Sequence, residues 1–460
     1  MGKFVFSEKK MSGFKDLDTL IREGGFYCAH CGRKHTITVK KAIVSDGALS
    51  SLPGELAAAG VKRPYILADP NTYRAAGEKI CALLDAAGIE YVKYVLTEGR
   101  PAPDEKTLGE GAMHYSSKCD CIIGVGGGVI NDTCKMLTNL TGKPYFYCAT
   151  APSMDGYAST SSSMDVNGLK TSVPSNPAEV IIADTAVLAD APMEMILAGV
   201  GDMAAKYISL VEWKMATVIT GEYYCPEVAE MMASSVKNVI DNAPAAAARD
   251  RKAVASVAEG LVLAGLAMTC AGVSRPASGM EHYISHIRDM RGLSFGTRTD
   301  LHGIQCGFAV LPCLRAYEKL RKMRPDREKA LEAAREFDYA AHAAEMRAFV
   351  GEGAEAMIKL EAKEGKYDPV RHAPRLERII AGWDELCSYM DELPSSADYA
   401  EFCRSIGFPT EPEQLGMTND ELCAFFDFAG DVRDKYVLSR LCRDLGAVRT
   451  REDIARLIAE

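Results

Sequence analysis

The sequence predicts an α/β domain followed by an all-α domain. From about residue 41 to residue 190, short apolar runs alternate with helical patterns, as in a parallel sheet with helices on both faces. After residue 190 the strand patterns stop and long helical stretches follow. A chain of 460 residues also exceeds one ordinary hydrophobic core. We therefore expect an N-terminal extension at 1–40, an α/β domain at 41–190 and a helical domain at 191–460.

The predicted strands are short runs rich in β-branched and aromatic residues, bounded by Gly, Pro or Asp. They lie at 63–69, 91–96, 119–125, 144–150 and 179–184. Helical patterns at 72–88 and after Gly128 separate them. The dipeptide Asn167-Gly168, between two alternating runs within 161–174, predicts a β-hairpin. In the second domain the clearest helical patterns are at 192–216 and 244–271.

Composition excludes several classes of function. The net charge of −10 argues against a nucleic-acid or anionic-membrane partner. The longest apolar run, thirteen residues at 261–273, predicts a buried helix rather than a membrane span. The N-terminus has no apolar core typical of a signal peptide. The fifteen cysteines follow no pattern, which predicts reduced thiols in a cytoplasmic protein.

A glycine cluster, Gly126 to Gly128, follows an apolar strand and opens a helix. Its backbone can approach a ligand closely, and the helix N-terminus offers N–H donors to a phosphate. The pattern is not GxGxxG, and a tight strand-to-helix turn is the alternative interpretation. Asp69, at the end of 63–69, could accept both ribose hydroxyls and repel a 2′-phosphate, which favours NAD over NADP. A turn or cap role within DPNT explains Asp69 equally well.

Three of the eight histidines lie within residues 282–302. His282 and His286 are four residues apart after a Ser/Gly-rich turn, so they share one helix face. Asp202 supplies a carboxylate near the start of a predicted helix, where it could also be a cap. One carboxylate and two imidazoles suit a divalent transition metal with open positions, so Asp202, His282 and His302 are the predicted ligands. His286 is placed to bind substrate or relay a proton.

Five motifs follow one another along the chain: GVGGGVIND, ATAPSMDGYAS (149–159), GVGDMAAK, SRPASGMEHYISH and LHG. They resemble the sn-glycerol-1-phosphate dehydrogenase family, particularly its bacterial branch, within the superfamily of iron-type alcohol dehydrogenases and dehydroquinate synthases. The resemblance covers residues 40 to 445. It implies the two-domain fold of that superfamily, NAD(P) at the glycine loop, and reduction of dihydroxyacetone phosphate to glycerol 1-phosphate. It further implies a homodimer.

The resemblance also assigns residues to the site. Asp202, His282 and His302 match the metal ligands, for zinc or nickel, and Asp155, Asp202 and His286 match substrate-binding positions. Lys206 stands where the wider iron-type alcohol dehydrogenases carry a further histidine, and a cation there fits a phosphorylated substrate. Lys170 is a second candidate phosphate partner, with a solvated surface lysine as the alternative. The residues expected to line the dinucleotide are Gly126, Gly127, Gly128, Val129, Ile130, Asn131, Asp132, Thr150, Ser153 and Ser159.

Two questions stay open at this point. Cys28, Cys31 and His35 in FYCAHCGRKHT have metal-like spacing, but a single CxxC is half of a four-ligand zinc site, so a plain hairpin is the default. The activity also has rivals. A metal-dependent polyol dehydrogenase needs no phosphate pocket, and a dehydroquinate-synthase-like cyclase would show no net NADH consumption. A non-catalytic dinucleotide-binding regulator would not need intact metal ligands.

Overall fold

The computed structural model describes residues 17–167 and 169–460. Residues 1–16 of the predicted extension and Gly168 of the predicted hairpin turn lie outside the described residues. The chain forms two compact units. The sheet unit contains the described residues up to Met203 together with Glu230–Val273, and the helical unit contains Ala204–Ala229 and Ser274–Glu460. The domain boundary that the sequence suggested at residue 190 stays a prediction.

Ten strands occur in the described residues. In chain order they are β1 (Gly25–Cys28), β2 (Arg33–Thr36), β3 (Lys41–Ser45), β4 (Pro64–Ala68), β5 (Val92–Val95), β6 (Cys121–Gly126), β7 (Tyr145–Ala149), β8 (Ser161–Val166), β9 (Leu169–Pro174) and β10 (Val180–Asp184). The five strands predicted for the main sheet and the hairpin at 161–174 are confirmed.

The main sheet has six parallel strands in the order β3-β10-β7-β6-β4-β5. From β4 the chain continues to β5 on one side, whereas from β6 it continues to β7 and β10 on the other. The carboxyl ends of the neighbouring strands β4 and β6 are therefore the switch point at which α/β sheets bind ligands. The edge strand β3 was not predicted, because its half-exposed KAIVS is short and lacks a continuous apolar run.

The described residues also form twenty-one α-helices, which are divided between the two units. They are α1 (Leu17–Arg22), α2 (Leu52–Ala58), α3 (Pro70–Thr72), α4 (Glu78–Ala86), α5 (Glu105–Met113), α6 (Gly128–Thr141), α7 (Thr185–Ala189), α8 (Met193–Thr220), α9 (Pro226–Ala247), α10 (Arg251–Ala271), α11 (Met280–Phe295), α12 (His302–Leu320), α13 (Arg327–Glu336), α14 (Tyr339–Val350), α15 (Ala354–Glu364), α16 (Pro369–Ala381), α17 (Trp383–Met390), α18 (Ser396–Ile406), α19 (Asn419–Phe428), α20 (Leu438–Asp444) and α21 (Arg451–Ile458).

Both faces of the main sheet are buried, as expected for parallel strands covered by helices. On one face Ile66 and Ile123 pack in a cluster that includes Leu56 of α2 and Ile80 of α4. On the other face the Tyr65 hydroxyl donates a hydrogen bond to the Gly111 carbonyl oxygen of α5. The α/β architecture predicted for the first part of the chain is thus confirmed.

The predicted helical stretch 244–271 is confirmed but contains a break, and the predicted position of Asp202 within its helix is wrong. The Ala-rich stretch 244–271 is two helices, because Arg249 adopts a φ of 63° and Asp250 caps the N-terminus of α10 by accepting hydrogen bonds from two backbone N–H groups. Asp202 does not lie near a helix start. The helix α8 begins at Met193, so Asp202 is buried in its third turn, and the alternative of a capping carboxylate is excluded.

Helix α10 is long and apolar enough to cross a membrane by length and composition alone. Within the protein, 72% of its most apolar window is buried, as in the core helix of a globular protein. The apolar segment 261–273 is therefore part of a mostly buried helix, as its composition predicted. Its last two residues follow the end of α10.

Two glycines let the segment 152–158 approach the helices behind it. A Cβ atom built on Gly199 of α8 would lie 1.9 Å from the Pro152 carbonyl oxygen. A Cβ atom on Gly265 of α10 would lie 2.9 Å from the Ala158 backbone nitrogen. Because backbone atoms cannot move aside as a flexible side chain can, any larger residue must displace this segment.

We expect Gly199→Ala to lower the free energy of unfolding by about 3 kcal/mol, since overpacking against backbone strains the core. Gly109→Ala is the matched control. It lies in α5, its Cβ would meet nothing within 4 Å, and the substitution should stabilise the helix by about 0.5–1 kcal/mol. Urea unfolding of both variants measures the difference. Equal stability of the two variants would contradict the close approach.

Candidate functional site

The glycine loop after β6 is open to a ligand at the start of α6. No side chain caps this helix, whose N-cap is Gly127. A Cβ atom on Gly127 would meet nothing within 4 Å, whereas a Cβ atom on Gly126 would lie 2.4 Å from Ile130. Gly126 is therefore needed for the turn itself, and Gly127 faces open space. The uncapped N–H groups of the first turn, which includes Val129, fit a phosphate.

Asp69 lies beside this loop in the sheet topology. In the pairing of β4 with β6, Ala68 is opposite Val125, so Asp69 and Gly126 directly follow neighbouring positions at the switch point. The Oδ1 atom of Asp69 accepts hydrogen bonds from the backbone N–H groups of Asn71 (2.8 Å) and Thr72 (3.0 Å). Asp69 thus caps the N-terminus of α3, and these two hydrogen bonds use only one of its two carboxylate oxygens.

A buried lysine that the sequence reasoning missed connects α6 to the following loop. The Nζ atom of Lys135 donates to the carbonyl oxygens of Gly156 (2.6 Å) and Ser161 (3.1 Å) and to Oγ of Ser159 (3.1 Å). Burial lowers the pKa of Lys135, although Asp132, 3.6 Å away, opposes that shift. The available signal was helix spacing, since Lys135 follows Gly128 by seven residues and so lies on the same face of α6.

The other predicted cofactor residues hold the same loops in place. The backbone N–H of Thr150 donates to the Gly126 carbonyl oxygen at 3.1 Å, and that of Ser153 donates to the Tyr157 hydroxyl at 3.2 Å. The Asn131 side chain donates to the Gly156 carbonyl oxygen and accepts from the Tyr145 hydroxyl. The structure therefore brings these residues together around the glycine loop, and the polar ends of Asn131 are already engaged there.

The sheet unit also joins two of the predicted acidic residues. The backbone N–H of Asp155 donates to Oδ2 of Asp202 at 2.9 Å. Asp202 is fully buried on α8. This hydrogen bond fixes the Asp202 carboxylate against the loop that contains Asp155.

The helical unit brings two of the predicted metal ligands together with a cysteine. Donor atoms of His282, His302 and Cys306 all lie within 4.8 Å of one another. The Cys306 Sγ atom is 3.5 Å from Nε2 of His302. Burial disfavours the Cys306 thiolate, but the neighbouring His282 and His302 outweigh it and lower the pKa of the thiol. The sequence signal for Cys306 was its spacing of four residues from His302 on one helix.

Both histidines have their Nδ1 atom in contact with a neighbouring side chain. Nδ1 of His282 is 2.8 Å from Oε1 of Glu281, and Nδ1 of His302 is 3.1 Å from the Ser285 hydroxyl. Histidines that bind metals almost always use the second ring nitrogen in this way. The donor set and its supports therefore fit a divalent transition metal.

A second buried carboxylate lies behind Glu281. Glu212 accepts hydrogen bonds from the backbone N–H groups of Met280 (3.0 Å) and Leu438 (2.8 Å). Burial and the nearby Glu281 raise the pKa of Glu212 to about 8. Glu281 is the carboxylate of this pair that contacts His282.

His286 lies beside the cluster, one turn after His282 on α11. Its ring centroid is 6.5 Å from that of His282 and 5.9 Å from that of His302. The cluster of close donor atoms in this part of the described chain consists of His282, His302 and Cys306. His286 as a proton donor rather than a ligand stays a prediction.

The two predicted phosphate partners have different surroundings. Lys206 is fully buried on α8, one turn after Asp202. Lys170 lies on the hairpin β8–β9, where its Nζ atom is 3.4 Å from Oδ1 of Asp165. Because that side chain is only 21% exposed, the alternative of a solvated surface lysine is wrong.

Comparison with known proteins agrees with this arrangement. The family model of iron-containing alcohol dehydrogenases matches residues 43–192. A glycerol-1-phosphate dehydrogenase (NAD(P)+) of Bacillus velezensis is 35% identical over 282 residues, which are 59% of this chain and 72% of the relative. One of Halalkalibacterium halodurans is 28% identical over 393 residues, covering 85% of this chain and 88% of the relative.

Solved structures share the fold at low identity. Glycerol dehydrogenase from Schizosaccharomyces pombe has a TM-score of 0.58 at 16% identity, covering 91% of this chain and 90% of the other. Maleylacetate reductase from a Rhizobium species has a TM-score of 0.58 at 15% identity, covering 92% and 96%. These likenesses confirm the predicted fold class.

We expect Glu281→Gln to weaken metal binding by about 10–100-fold, because the amide no longer raises the basicity of His282. Glu318→Gln is the matched control. Glu318 is a glutamate of the same unit that accepts from the backbone N–H of Ser396 at 2.7 Å. Competition with a chelator of known affinity measures both variants. Unchanged affinity in Glu281→Gln would show that the contact does not support a ligand.

Proposed function

Because the chain belongs to the glycerol-1-phosphate dehydrogenase family, and is thus an NAD(P)-dependent oxidoreductase, we propose that it reduces dihydroxyacetone phosphate to sn-glycerol 1-phosphate with NADH. The reaction is reversible. The observation that carries the choice of substrate is Lys206, a fully buried cation in the motif that also contains Asp202. A cation at this position of the motif fits a phosphorylated substrate better than a plain alcohol.

The dinucleotide is proposed to lie across the carboxyl ends of β4 and β6. The uncapped start of α6 and the open space at Gly127 support a pyrophosphate there. Asp69 follows the neighbouring strand and keeps one carboxylate oxygen outside its cap. Since that oxygen repels a 2′-phosphate, we expect a preference for NADH over NADPH.

The metal site is proposed to consist of Asp202, His282 and His302, holding one zinc or nickel ion. The close donor atoms of the two histidines support it, and Cys306 is a further donor beside them. When bound, such a metal supplies a Lewis acid for the substrate carbonyl, and NADH supplies the hydride. Glu281 and Ser285 keep the two imidazoles oriented throughout.

The proton and the phosphate are assigned to side chains of this protein. His286 donates a proton to the developing alkoxide oxygen, since it lies one turn beyond the ligand His282. Lys206 and Lys170 bind the phosphate. Asp155 orients a hydroxyl of the substrate. The predicted homodimer and cytoplasmic location stay predictions.

The deciding experiment compares NADH oxidation by the purified protein with dihydroxyacetone phosphate and with unphosphorylated dihydroxyacetone. We expect turnover mainly with the phosphate ester, and less with NADPH than with NADH. Equal rates with both substrates would favour a polyol dehydrogenase. Absence of NADH consumption with either would favour the cyclase or the non-catalytic regulator.

The two histidines of α11 are expected to behave differently on substitution. His282→Ala should lose both the metal of this site and nearly all turnover, because it removes a ligand. His286→Ala should keep the metal and lose about 10²–10⁴-fold in turnover, the range for a missing acid–base group. Metal content and kcat measured on the same preparations decide the matter. Loss of metal from His286→Ala would make His286 a ligand instead.

A further inference from the structure

The segment before the main sheet folds as a small hairpin outside the proposed active site. Strands β1 and β2 pair antiparallel, with Cys28 opposite Arg33 and Phe26 opposite His35. The turn between them contains Cys31 and Gly32, which adopts a φ of 67°. A two-stranded hairpin is marginally stable by itself in water. Interactions besides its own strand pairing must therefore stabilise the β1–β2 hairpin.

Three side chains of this hairpin converge on one point. Donor atoms of Cys28, Cys31 and His35 lie within 4.8 Å of one another. The Cys31 Sγ atom is 3.3 Å from Nε2 of His35, and the backbone N–H of Cys31 donates to the Cys28 Sγ atom at 3.4 Å. Amide N–H groups that donate to sulfur stabilise a thiolate. Cys28 and His35 are both buried, so the cluster is closed to solvent on that side.

The imidazole of His35 is fixed as a ligand would be. Its Nδ1 atom is 2.5 Å from the carbonyl oxygen of Cys270 in α10, so this contact places the ring proton on Nδ1. Nε2, which faces the two sulfur atoms, then carries the lone pair. This is the support from behind that metal-binding histidines show. It also attaches the hairpin to the end of a buried core helix.

We propose that Cys28, Cys31 and His35 bind a structural zinc ion that secures the β1–β2 hairpin against α10. Two thiolates and one imidazole form a donor set that selects zinc over magnesium or calcium. The site is separate from the proposed catalytic metal, which uses other residues. Structural zinc sites are four-coordinate, so a fourth ligand comes from outside the hairpin.

The test measures zinc in the full-length protein with the catalytic cluster disabled by His282→Ala and Cys306→Ser. In this background we expect one zinc per chain, whatever the outcome for the proposed function. Adding Cys28→Ser and Cys31→Ser should abolish it. Adding Cys387→Ser, a thiol that is also partly buried, should leave it in place. His35→Ala should release zinc, whereas His114→Ala, at an exposed histidine elsewhere in the same unit, should not.

A second measurement does not depend on the folding of the cysteine variants. The same background protein loaded with Co²⁺ should show thiolate-to-cobalt charge-transfer absorption, which zinc displaces. Absence of that band, or a Cys28–Cys31 disulfide in protein purified without reductant, would overturn the proposal. Zinc retained by the Cys28→Ser, Cys31→Ser protein would also overturn it. Replacing the remaining cysteines singly then identifies a fourth thiolate.

Discussion

A single buried ammonium group organises the sheet unit around its glycine loop. Lys135 extends from α6, the helix that the loop opens, and its three acceptors lie in the segment from Gly156 to Ser161. Burying a charge is costly unless hydrogen bonds and an opposite charge compensate it, and here Asp132 supplies that charge. The segment so fixed begins directly after Asp155, whose backbone N–H binds Asp202. The glycine loop and the acidic pair Asp155–Asp202 are therefore held by one network of hydrogen bonds.

Anchored imidazoles recur in both proposed metal sites. His282, His302 and His35 each have Nδ1 engaged, by a carboxylate, a hydroxyl and a backbone carbonyl respectively. In His35 and His302, Nε2 is the ring nitrogen nearer to a cysteine sulfur atom. The acceptor behind the ring changes its basicity, and a carboxylate makes it strongest. His282 is thus the histidine of the three whose orientation depends on a carboxylate.

Much of the fold was predictable because it follows local patterns. The four interior strands β4, β6, β7 and β10 are buried, mostly apolar runs, and their alternation with helices implies a parallel sheet. The helix break at Arg249 could not be predicted, because a residue other than glycine at positive φ has no signature in the composition. In the site, paired histidines and the glycine loop stood out by spacing. Lys135 and Cys306 were missed although each lies at helical spacing from a recognised residue, because such spacing is common and their burial appears only in the folded chain. Glu281 was missed because its contact with the adjacent His282 depends on side-chain orientation.

The burial of Lys135 has a consequence for its chemical reactivity. An ε-amino group without accessible surface cannot meet an acylating reagent or an acetyl-transferring enzyme while its three acceptors stay in place. Lys135 can be modified only after the segment that follows Asp155 has moved and exposed its amino group. The labelling rate of this lysine, compared with that of exposed lysines on the same chain, therefore reports how often the loop opens in the native protein.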